Sequence, residues 1–357
     1  MNIDDIKKVV KKNPRLECLY LCLASLKSED LCKKIIAVKR DPYNLTVKKF
    51  GELEPDRWVY YIDFDEAYKF NGFCSLYRLV LLHLAYADDL QMVPVVNWGK
   101  NTLYYDDQII ETGNAFEYYF DPVSDVDCKK VMSCRRVTIS KGADANAFGT
   151  TQGYTIPEEE VTIAALYSSK YVQLRQDIKN LFWGEMQEII SGDKTLGVHV
   201  RATDYNKGYN RHPVAVTPEE YLKISRQAMK DYGFKKIFLA TDDETVIQLF
   251  QHEFGEALLF YKDTYRSKNG EAIHYGKHEI NREHHKFLLG LEIIKDFYTL
   301  GFCAGLIAGN SNVSMCAKII NHSNSEAYQY INIIDKGVNH NFKETRSLFG
   351  SMIKNKR

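Results

Sequence analysis

The densest group of polar side chains that follows an apolar segment is HVRATDYNKGYNRHP, residues 199–213. Arg201 ends the short apolar run LGVHVR, so the pattern predicts that it lies at the carboxyl end of a β-strand. A guanidinium at that position can hold a pyrophosphate through two parallel, charge-assisted hydrogen bonds. A structural ion pair between Arg201 and Asp204 or Asp242 accounts for the same residue equally well, so both interpretations stand.

Two further apolar runs end in polar residues that suit the same ligand. The run LATDD ends in Asp242 and Asp243, and AGNSNVS turns at residues 309–310 into a predicted helix that begins near Ser311. The free N–H groups at a helix start, with nearby serine hydroxyls, are a good site for a phosphate. Asp243 can equally be the first acid of the following helix, and the serine an ordinary helix cap. Arg, Asp and Ser at three strand ends together predict a nucleoside diphosphate site.

The elements that must position these residues alternate between strand and helix. Such alternation builds a doubly wound parallel sheet, in which ligands bind beyond the carboxyl ends of the strands. Thr217 and Glu220 form the pattern of a capping box at the start of one helix, and Gly233 marks its end. Beyond Gly192 the predicted order is strand 196–201, helix 217–233, strand 235–241, helix 243–255, strand 257–261, helix 284–301, strand 305–309, helix 311–321 and strand 330–335.

The first half of the chain predicts a second α/β unit. Gly72 lies at the turn between a strand and a long, mostly apolar helix. The two units meet near residue 192, and the cleft between them is the expected ligand site. The further predicted elements are lead-in helices over 1–55, a strand at 57–64, a helix at 72–90, strands at 92–98 and 135–140, a helical region at 157–191 and a tail helix after residue 342.

The composition excludes several classes of protein. The chain has 357 residues, with 47 Lys and Arg against 47 Asp and Glu, so no overall field attracts a polyanion such as a nucleic acid. No apolar run reaches the ~18 residues of a membrane span, and the first residues are charged, so we expect a soluble, cytoplasmic protein. The basic segment KKVVKKNPR would suit peripheral contact with an anionic membrane, although a solvated helix face explains it as well.

In order and spacing, HVRATD, LATDD and KDFYTLGFCAGLIAGNSNVS resemble the three motifs of the metal-independent GDP-fucose fucosyltransferases. The resemblance is greatest to the α-1,6 group, which includes the Nod-factor fucosyltransferases and is related to the protein O-fucosyltransferases. It covers residues 197–320, with a fainter likeness at 71–98. It implies a GT-B-like α/β fold of two Rossmann-like domains that face a cleft. The implied units are an acceptor-side domain at 1–191, a GDP-sugar-binding domain at 192–341 and a tail helix at 342–357.

The resemblance also implies roles for the residues that match these motifs. Arg201 matches the catalytic arginine that binds the β-phosphate and stabilises the departing GDP, and Asp204 matches the acid that supports the arginine loop. Asp296 matches the acid that accepts hydrogen bonds from guanine N1–H and N2–H. The other donor-binding positions are His199 beside the nucleoside, the paired acids Asp242 and Asp243, the helix start at Ser311, Asn312 and Val313, and Gly72 in the glycine-rich start of the first domain.

Two positions depart from the α-1,6 pattern. Ala202 stands where that group has a second arginine, and Tyr209 stands where it has an acid that serves as a base. The catalytic base then comes from elsewhere, with Asp65, Glu66 and Glu271 as candidates, or the transition state is dissociative enough to need little help from a base. The α-1,6 linkage is therefore not part of the prediction.

The function predicted from the sequence is an inverting transfer of fucose from GDP-fucose to a glycan acceptor. It needs neither a cofactor nor a divalent metal, and the histidines at 274–285 show no zinc-binding pattern. One alternative is another nucleotide-sugar transferase on the same fold. The other is a sugar-nucleotide-binding or glycan-binding protein with reduced catalysis, which Ala202 and Tyr209 make conceivable. The expected partners are GDP-fucose and a glycan, and no nucleic acid.

Overall fold

Two β-sheets organise the chain in the computed structural model. The structure describes residues 14–28, 46–65, 71–109, 113–140, 157–192, 194–202, 212–268, 282–325 and 327–339. The tail helix predicted after residue 342 lies outside these residues. Within them, no helix combines the length and apolar character needed to cross a membrane.

The first half of the chain forms a four-stranded sheet with helices. Its elements are α1 (Pro14–Ser25), β1 (Val47–Lys48), β2 (Val59–Asp63), α2 (Phe73–Asp89), β3 (Val93–Asn97), α3 (Cys128–Val131), β4 (Val137–Ile139), α4 (Glu158–Tyr171) and α5 (Gln176–Ile190). The strand order is β1-β4-β2-β3, in which β4, β2 and β3 are parallel and β1 is antiparallel to β4. The carboxyl ends of β2 and β3 therefore lie at one edge of this sheet.

The second half forms a five-stranded, fully parallel sheet. Its elements are β5 (Thr195–Val200), α6 (Pro218–Tyr232), β6 (Lys236–Thr241), α7 (Glu244–Phe254), β7 (Leu258–Leu259), α8 (His285–Phe302), β8 (Gly305–Gly309), α9 (Asn312–Ser323) and β9 (Tyr330–Ile334). The strand order is β7-β6-β5-β8-β9. Strand β5 is buried along its whole length, as expected for the centre of such a sheet.

Helices cover both faces of the second sheet. Tyr221 of α6 and Phe250 of α7 pack with Val198 of β5 in one hydrophobic core. Leu300 of α8 packs with Phe238 of β6 in another core. Successive side chains of a strand point to opposite faces, so this sheet is doubly wound as the sequence predicts. Two α/β units, each with a sheet of largely parallel strands, confirm the predicted fold class.

Local sequence signals explain where individual helices begin and end. Helix α6 begins after Thr217, which forms a capping box with Glu220, and Pro218 occupies the first helical position. It ends at Gly233, whose φ of 73° is in the left-handed region that favours glycine. The capping prediction for this helix is therefore confirmed.

The structure differs from the predicted elements most clearly at three places. Residues 47–48 form a strand within the segment predicted as lead-in helix, because they pair with β4. The helical region at 157–191 is two helices, separated where Leu174 makes a β-bridge to Phe120. The strand predicted at 257–261 is reduced to Leu258–Leu259, since a short 3₁₀-helix occupies the residues before it.

Aromatic side chains join the two halves of the chain. The ring centroids of Tyr77 in α2 and Phe297 in α8 are 5.5 Å apart, and the Tyr119 ring stacks on Phe287 at 5.4 Å. The Tyr119 hydroxyl donates a hydrogen bond to the Phe287 carbonyl at 2.9 Å. The helices of the second sheet therefore share a packed core with the first unit. The domain boundary near residue 192 stays a prediction.

Gly290 in α8 tests this junction, because a Cβ at that position would overlap the Tyr119 hydroxyl. We expect Gly290→Ala to lower the free energy of unfolding by about 1–3 kcal/mol. Gly184 in α5 is the matched control, since a Cβ there would meet no atom within 4 Å. Gly184→Ala should raise stability by up to about 1 kcal/mol, through helix propensity alone. Urea denaturation measures both, and equal effects of the two changes would contradict the described packing.

Candidate functional site

The strand order of the second sheet reverses beside β5. The chain runs from β5 to β6 and β7 on one side, and then returns to β8 and β9 on the other. At such a reversal the connections leave in opposite directions and open a crevice at the carboxyl ends of the strands. A small pocket lies there, lined by residues that include His199, Arg201, Val216, Tyr221, Asn310 and Ser311. The crevice therefore contains three of the residues that the sequence assigned to donor binding or catalysis.

The start of α9 forms one wall of this crevice. The Ser311 hydroxyl accepts a hydrogen bond from the Ser314 N–H, and the Ser314 hydroxyl accepts one from the Ser311 N–H, both at 3.1 Å. His199 Nδ1 lies 3.4 Å from the Ser311 hydroxyl oxygen. The serine hydroxyls therefore serve to cap the helix. An anion at this point would meet the backbone N–H groups of Asn312 and Val313, which have no acceptor within the helix.

The first unit contributes a cation to the same helix start. Arg78 of α2 donates a hydrogen bond from Nη1 to Asn312 Oδ1 at 2.5 Å. Burial raises the pKa of the Cys74 thiol of α2, whereas Arg201 and Arg78 both lower it, so both guanidiniums are within electrostatic reach of that thiol. Gly72 precedes α2, and a Cβ there would meet only the Tyr104 hydroxyl, at 4.0 Å. Packing alone therefore does not require a glycine at position 72.

The two acids after β6 have different surroundings. Asp242 Oδ1 accepts a hydrogen bond from the Ala202 N–H at 3.2 Å, which ties the residues after β5 to those after β6. Asp243 Oδ1 accepts hydrogen bonds from the backbone N–H and the hydroxyl of Thr245, at 2.8 and 2.7 Å. Asp243 therefore caps α7, which is the alternative that the sequence left open for this residue. Its assignment to donor binding stays a prediction.

Asp296 of α8 lies among charged residues that include Asp242, which follows β6. Burial raises the pKa of its carboxyl to about 7, and the Arg266 guanidinium partly opposes this rise. Glu292 and Asp242 raise the same pKa further, whereas Lys295 lowers it. Asp296 and Asp242 are thus close enough to interact, although 54 residues separate them in sequence. The site holds a carboxyl group that changes charge near neutral pH.

The first sheet ends in a polar cluster of its own. Asp63 Oδ1 accepts hydrogen bonds from Asn97 Nδ2 at 2.9 Å and from the Asp65 N–H at 3.1 Å. Asp65 Oδ1 accepts one from the Asn101 N–H at 2.8 Å. The turn therefore holds Asp65, one of the three candidate bases, in a fixed position. Glu66 and Glu271, the other two, lie outside the described residues.

The structure therefore brings some of the predicted residues together and leaves others undecided. His199, Arg201, Ser311 and Asn312 meet at the crevice, and Asp242, at the end of β6, is within electrostatic reach of Asp296. Asp204 and Tyr209 lie outside the described residues, so their predicted roles keep that status.

Two cations of the site were missed by reasoning from the sequence. Arg78 could have been found, because it interrupts the apolar helix sequence FCSLYRLVLLHL. Arg266 gave no signal, since it lies in a long polar stretch. Neither residue lies in one of the three motifs, and only the folded chain brings Arg78 to Asn312 and Arg266 within electrostatic reach of Asp296.

The described part of the chain contains no group of three or more His, Cys, Asp or Glu residues arranged to bind a metal ion. Of the histidines at 274–285, His284 and His285 lie within that part, at the start of α8. His274 and His278 lie outside it.

Comparison with known proteins identifies similar solved structures. No protein-family model matches the chain, and no curated protein matches it in sequence. The structure is similar to NodZ α-1,6-fucosyltransferase soaked with GDP-fucose, at 16% identity and a TM-score of 0.46, over 74% of this chain and 93% of that one. It is also similar to fucosyltransferase NodZ from Bradyrhizobium, at 15% identity and a TM-score of 0.44, over 73% of this chain and 92% of that one.

A third similar structure is POFUT1 in complex with GDP, at 12% identity and a TM-score of 0.41, over 78% of this chain and 100% of that one. Two of these three structures are named as fucosyltransferases. At such identities and TM-scores the similarity does not describe the reaction or the substrate of this chain.

The raised pKa of Asp296 has a measurable consequence for stability. In the unfolded chain an aspartate has a pKa near 3.9, whereas burial raises the pKa in the folded protein to about 7. The folded state therefore binds the proton more tightly, and the contribution of Asp296 to stability is complete below about pH 4 and lost as the pH rises through about 7. Asp296→Asn removes this titration.

We expect the wild type to lose at least about 1 kcal/mol of unfolding free energy relative to Asp296→Asn between pH 4.5 and 8. Urea denaturation across that range measures the difference. Parallel pH profiles of the two proteins would show that the Asp296 pKa is not raised.

Proposed function

We propose that this protein is an inverting glycosyltransferase that transfers fucose from GDP-fucose to a glycan acceptor, without a divalent metal. The observation that carries the proposal is the place of Arg201 at the end of β5, in one crevice with the start of α9. An arginine beside free helix N–H groups is a good receptor for a diphosphate. The motif resemblance assigns the same residue to the departing GDP.

The phosphate end of the site suits the charge that develops during such a transfer. As the bond between the sugar C1 and the β-phosphate oxygen lengthens, the sugar gains oxocarbenium character and the diphosphate gains negative charge. Arg201 and the N–H groups of Asn312 and Val313 would meet that charge as fixed donors. Arg78, hydrogen-bonded to Asn312, adds a second positive charge at the start of the same helix.

The other end of the site suits guanine. The carboxyl groups of Asp296 and Asp242 are within mutual electrostatic reach, and Asp242 accepts a hydrogen bond from Ala202, the residue after Arg201. A carboxylate can accept hydrogen bonds from both N1–H and N2–H of guanine, and adenine has no such pair of donors. We therefore propose that Asp296 recognises the base and that Asp242 supports the segment that contains Arg201.

The acceptor and the base are assigned to the first sheet. Asp65 lies at the carboxyl edge of that sheet, and the Asn101 N–H holds its carboxylate in place. We propose Asp65 as the base that removes the proton from the acceptor hydroxyl. A dissociative transition state that needs no strong base is the alternative.

One observation favours a second candidate function, a sugar-nucleotide-binding protein with reduced catalysis. Position 202 contributes a backbone N–H to Asp242, and its buried alanine side chain supplies no charge. Between β5 and α6, Arg201 is therefore the one guanidinium among the described residues. Binding of GDP without turnover on a broad panel of glycans would support this candidate.

Turnover of GDP-fucose in the presence of EDTA tests the proposal. We expect GDP to be released when a suitable glycan from an acceptor panel is present, and chelation should leave the rate unchanged. UDP-glucose and GDP-mannose serve as donor controls, and we expect GDP-fucose to be the preferred donor. Faster turnover of a UDP-sugar would contradict the assignment of Asp296.

Arg201→Ala should reduce turnover at least about a hundredfold, because removal of one fixed donor to a developing anion has that effect in other enzymes. Arg201→Lys keeps the charge but loses the bidentate geometry, so its activity should be intermediate. Arg226→Ala is the control, since Arg226 is exposed and pairs with Glu253 at 2.6 Å. Near-normal turnover by Arg201→Ala would overturn the catalytic role.

A further inference from the structure

Arg266 is a buried cation with unusual partners. It is only 8% exposed, and its guanidinium donates to two backbone carbonyls, from Nη2 to Tyr261 at 2.8 Å and from Nη1 to Thr264 at 3.2 Å. Its Nε is enclosed and has no hydrogen-bond partner among the described residues. The two carbonyls take only two of the five N–H donors of the guanidinium, so the side chain keeps donors for a further acceptor.

The backbone fixes Arg266 beside the candidate guanine site. The next residue, Ser267, donates from its N–H to the Asp242 carbonyl at 2.9 Å and accepts from the Glu244 N–H at 3.0 Å. Arg266 therefore lies alongside the residues that follow β6. Among the charged groups that act on the Asp296 carboxyl, the Arg266 guanidinium has the largest effect on its pKa. No ion pair joins the two side chains in the described part of the structure.

The other charged groups around Asp296 already have partners. Lys295 Nζ binds both carboxylate oxygens of Asp263, at 2.6 and 2.8 Å. Glu292 Oε1 accepts from Arg282 at 2.6 Å. Asp242 accepts from the Ala202 N–H, as described above. Within this cluster, Arg266 is the cation whose hydrogen bonds in the described residues go only to neutral carbonyls.

The Watson–Crick edge of guanine presents two donors, N2–H and N1–H, and then one acceptor, O6. If a carboxylate accepts hydrogen bonds from N1–H and N2–H, O6 on the same edge still lacks a hydrogen-bond donor. We infer that Arg266 is a specificity-determining residue, which donates a hydrogen bond to O6 of a guanine base held by Asp296. This inference rests on the proposed function, because it requires a guanine nucleotide in the site.

Nucleotides that lack particular groups of guanine separate this role from a general electrostatic one. Inosine 5′-diphosphate keeps O6 and N1–H but lacks the amino group at position 2. The diphosphate of 2-aminopurine riboside keeps that amino group but lacks O6 and N1–H. Loss of the Arg266 hydrogen bond should therefore weaken GDP and inosine diphosphate, and leave the 2-aminopurine compound nearly unaffected.

Calorimetric titration of the full chain with the three nucleotides measures these affinities. We expect Arg266→Met to weaken GDP and inosine diphosphate at least about tenfold, and the 2-aminopurine diphosphate less than about twofold. Lys295→Met is the matched control, because it removes a neighbouring buried cation that is paired with Asp263. It should change all three affinities by a similar factor.

The outcomes are distinguishable. If Arg266→Met weakens all three nucleotides equally, or none of them, the role at O6 is wrong while the proposed function survives. If the wild type does not bind GDP, the proposed function and this inference both fail. Should Arg266→Met not fold, Arg266→Lys takes its place. That variant keeps a cation but loses the fork of donors, so we expect a smaller loss, again confined to the nucleotides with O6.

Discussion

Where the strand order of the second sheet reverses beside β5, the polypeptide leaves two neighbouring strands in opposite directions, and the carboxyl ends of those strands border an open crevice. The phosphate end of the proposed site follows from this constraint. Arg201 comes directly after β5, the start of α9 comes directly after β8, and Asp242 comes directly after β6. The site needs no special backbone conformation, because the topology alone brings these strand ends together.

The proposed guanine end of the site depends on charged groups that are buried. The chain is neutral overall, so recognition of an anion rests on a few fixed groups and not on a general field. Burial raises the pKa of Asp296, and the cations around it limit that rise. Hydrogen bonds from a donor pair such as N1–H and N2–H would stabilise the charged form of this carboxyl group and lower its pKa.

Much of the second unit could be predicted from the sequence, because its information is local. Alternating apolar runs and turn residues gave the strands, and Thr217, Glu220 and Gly233 gave the limits of α6. Arg201 and Ser311 could be predicted as site residues because each follows a local apolar run that marks a strand. The contacts between distant segments could not be predicted in this way. Arg78 on Asn312 and Arg266 near Asp296 depend on how helices and loops pack, which no spacing in the sequence encodes.

The role of Asp243 shows a second limit of the sequence. An acid after a strand and before a helix has two uses, at a ligand or at the helix N-terminus, and the sequence pattern is the same for both. The contacts with Thr245 show that Asp243 caps its helix. Geometry was needed to separate this residue from Asp242, its neighbour in the chain.

A crystal structure of the protein with GDP tests the central claim most directly. The account predicts the diphosphate between the Arg201 guanidinium and the N–H groups of Asn312 and Val313, with the guanine edge on Asp296. GDP bound elsewhere, or with its diphosphate away from Arg201, would contradict the account.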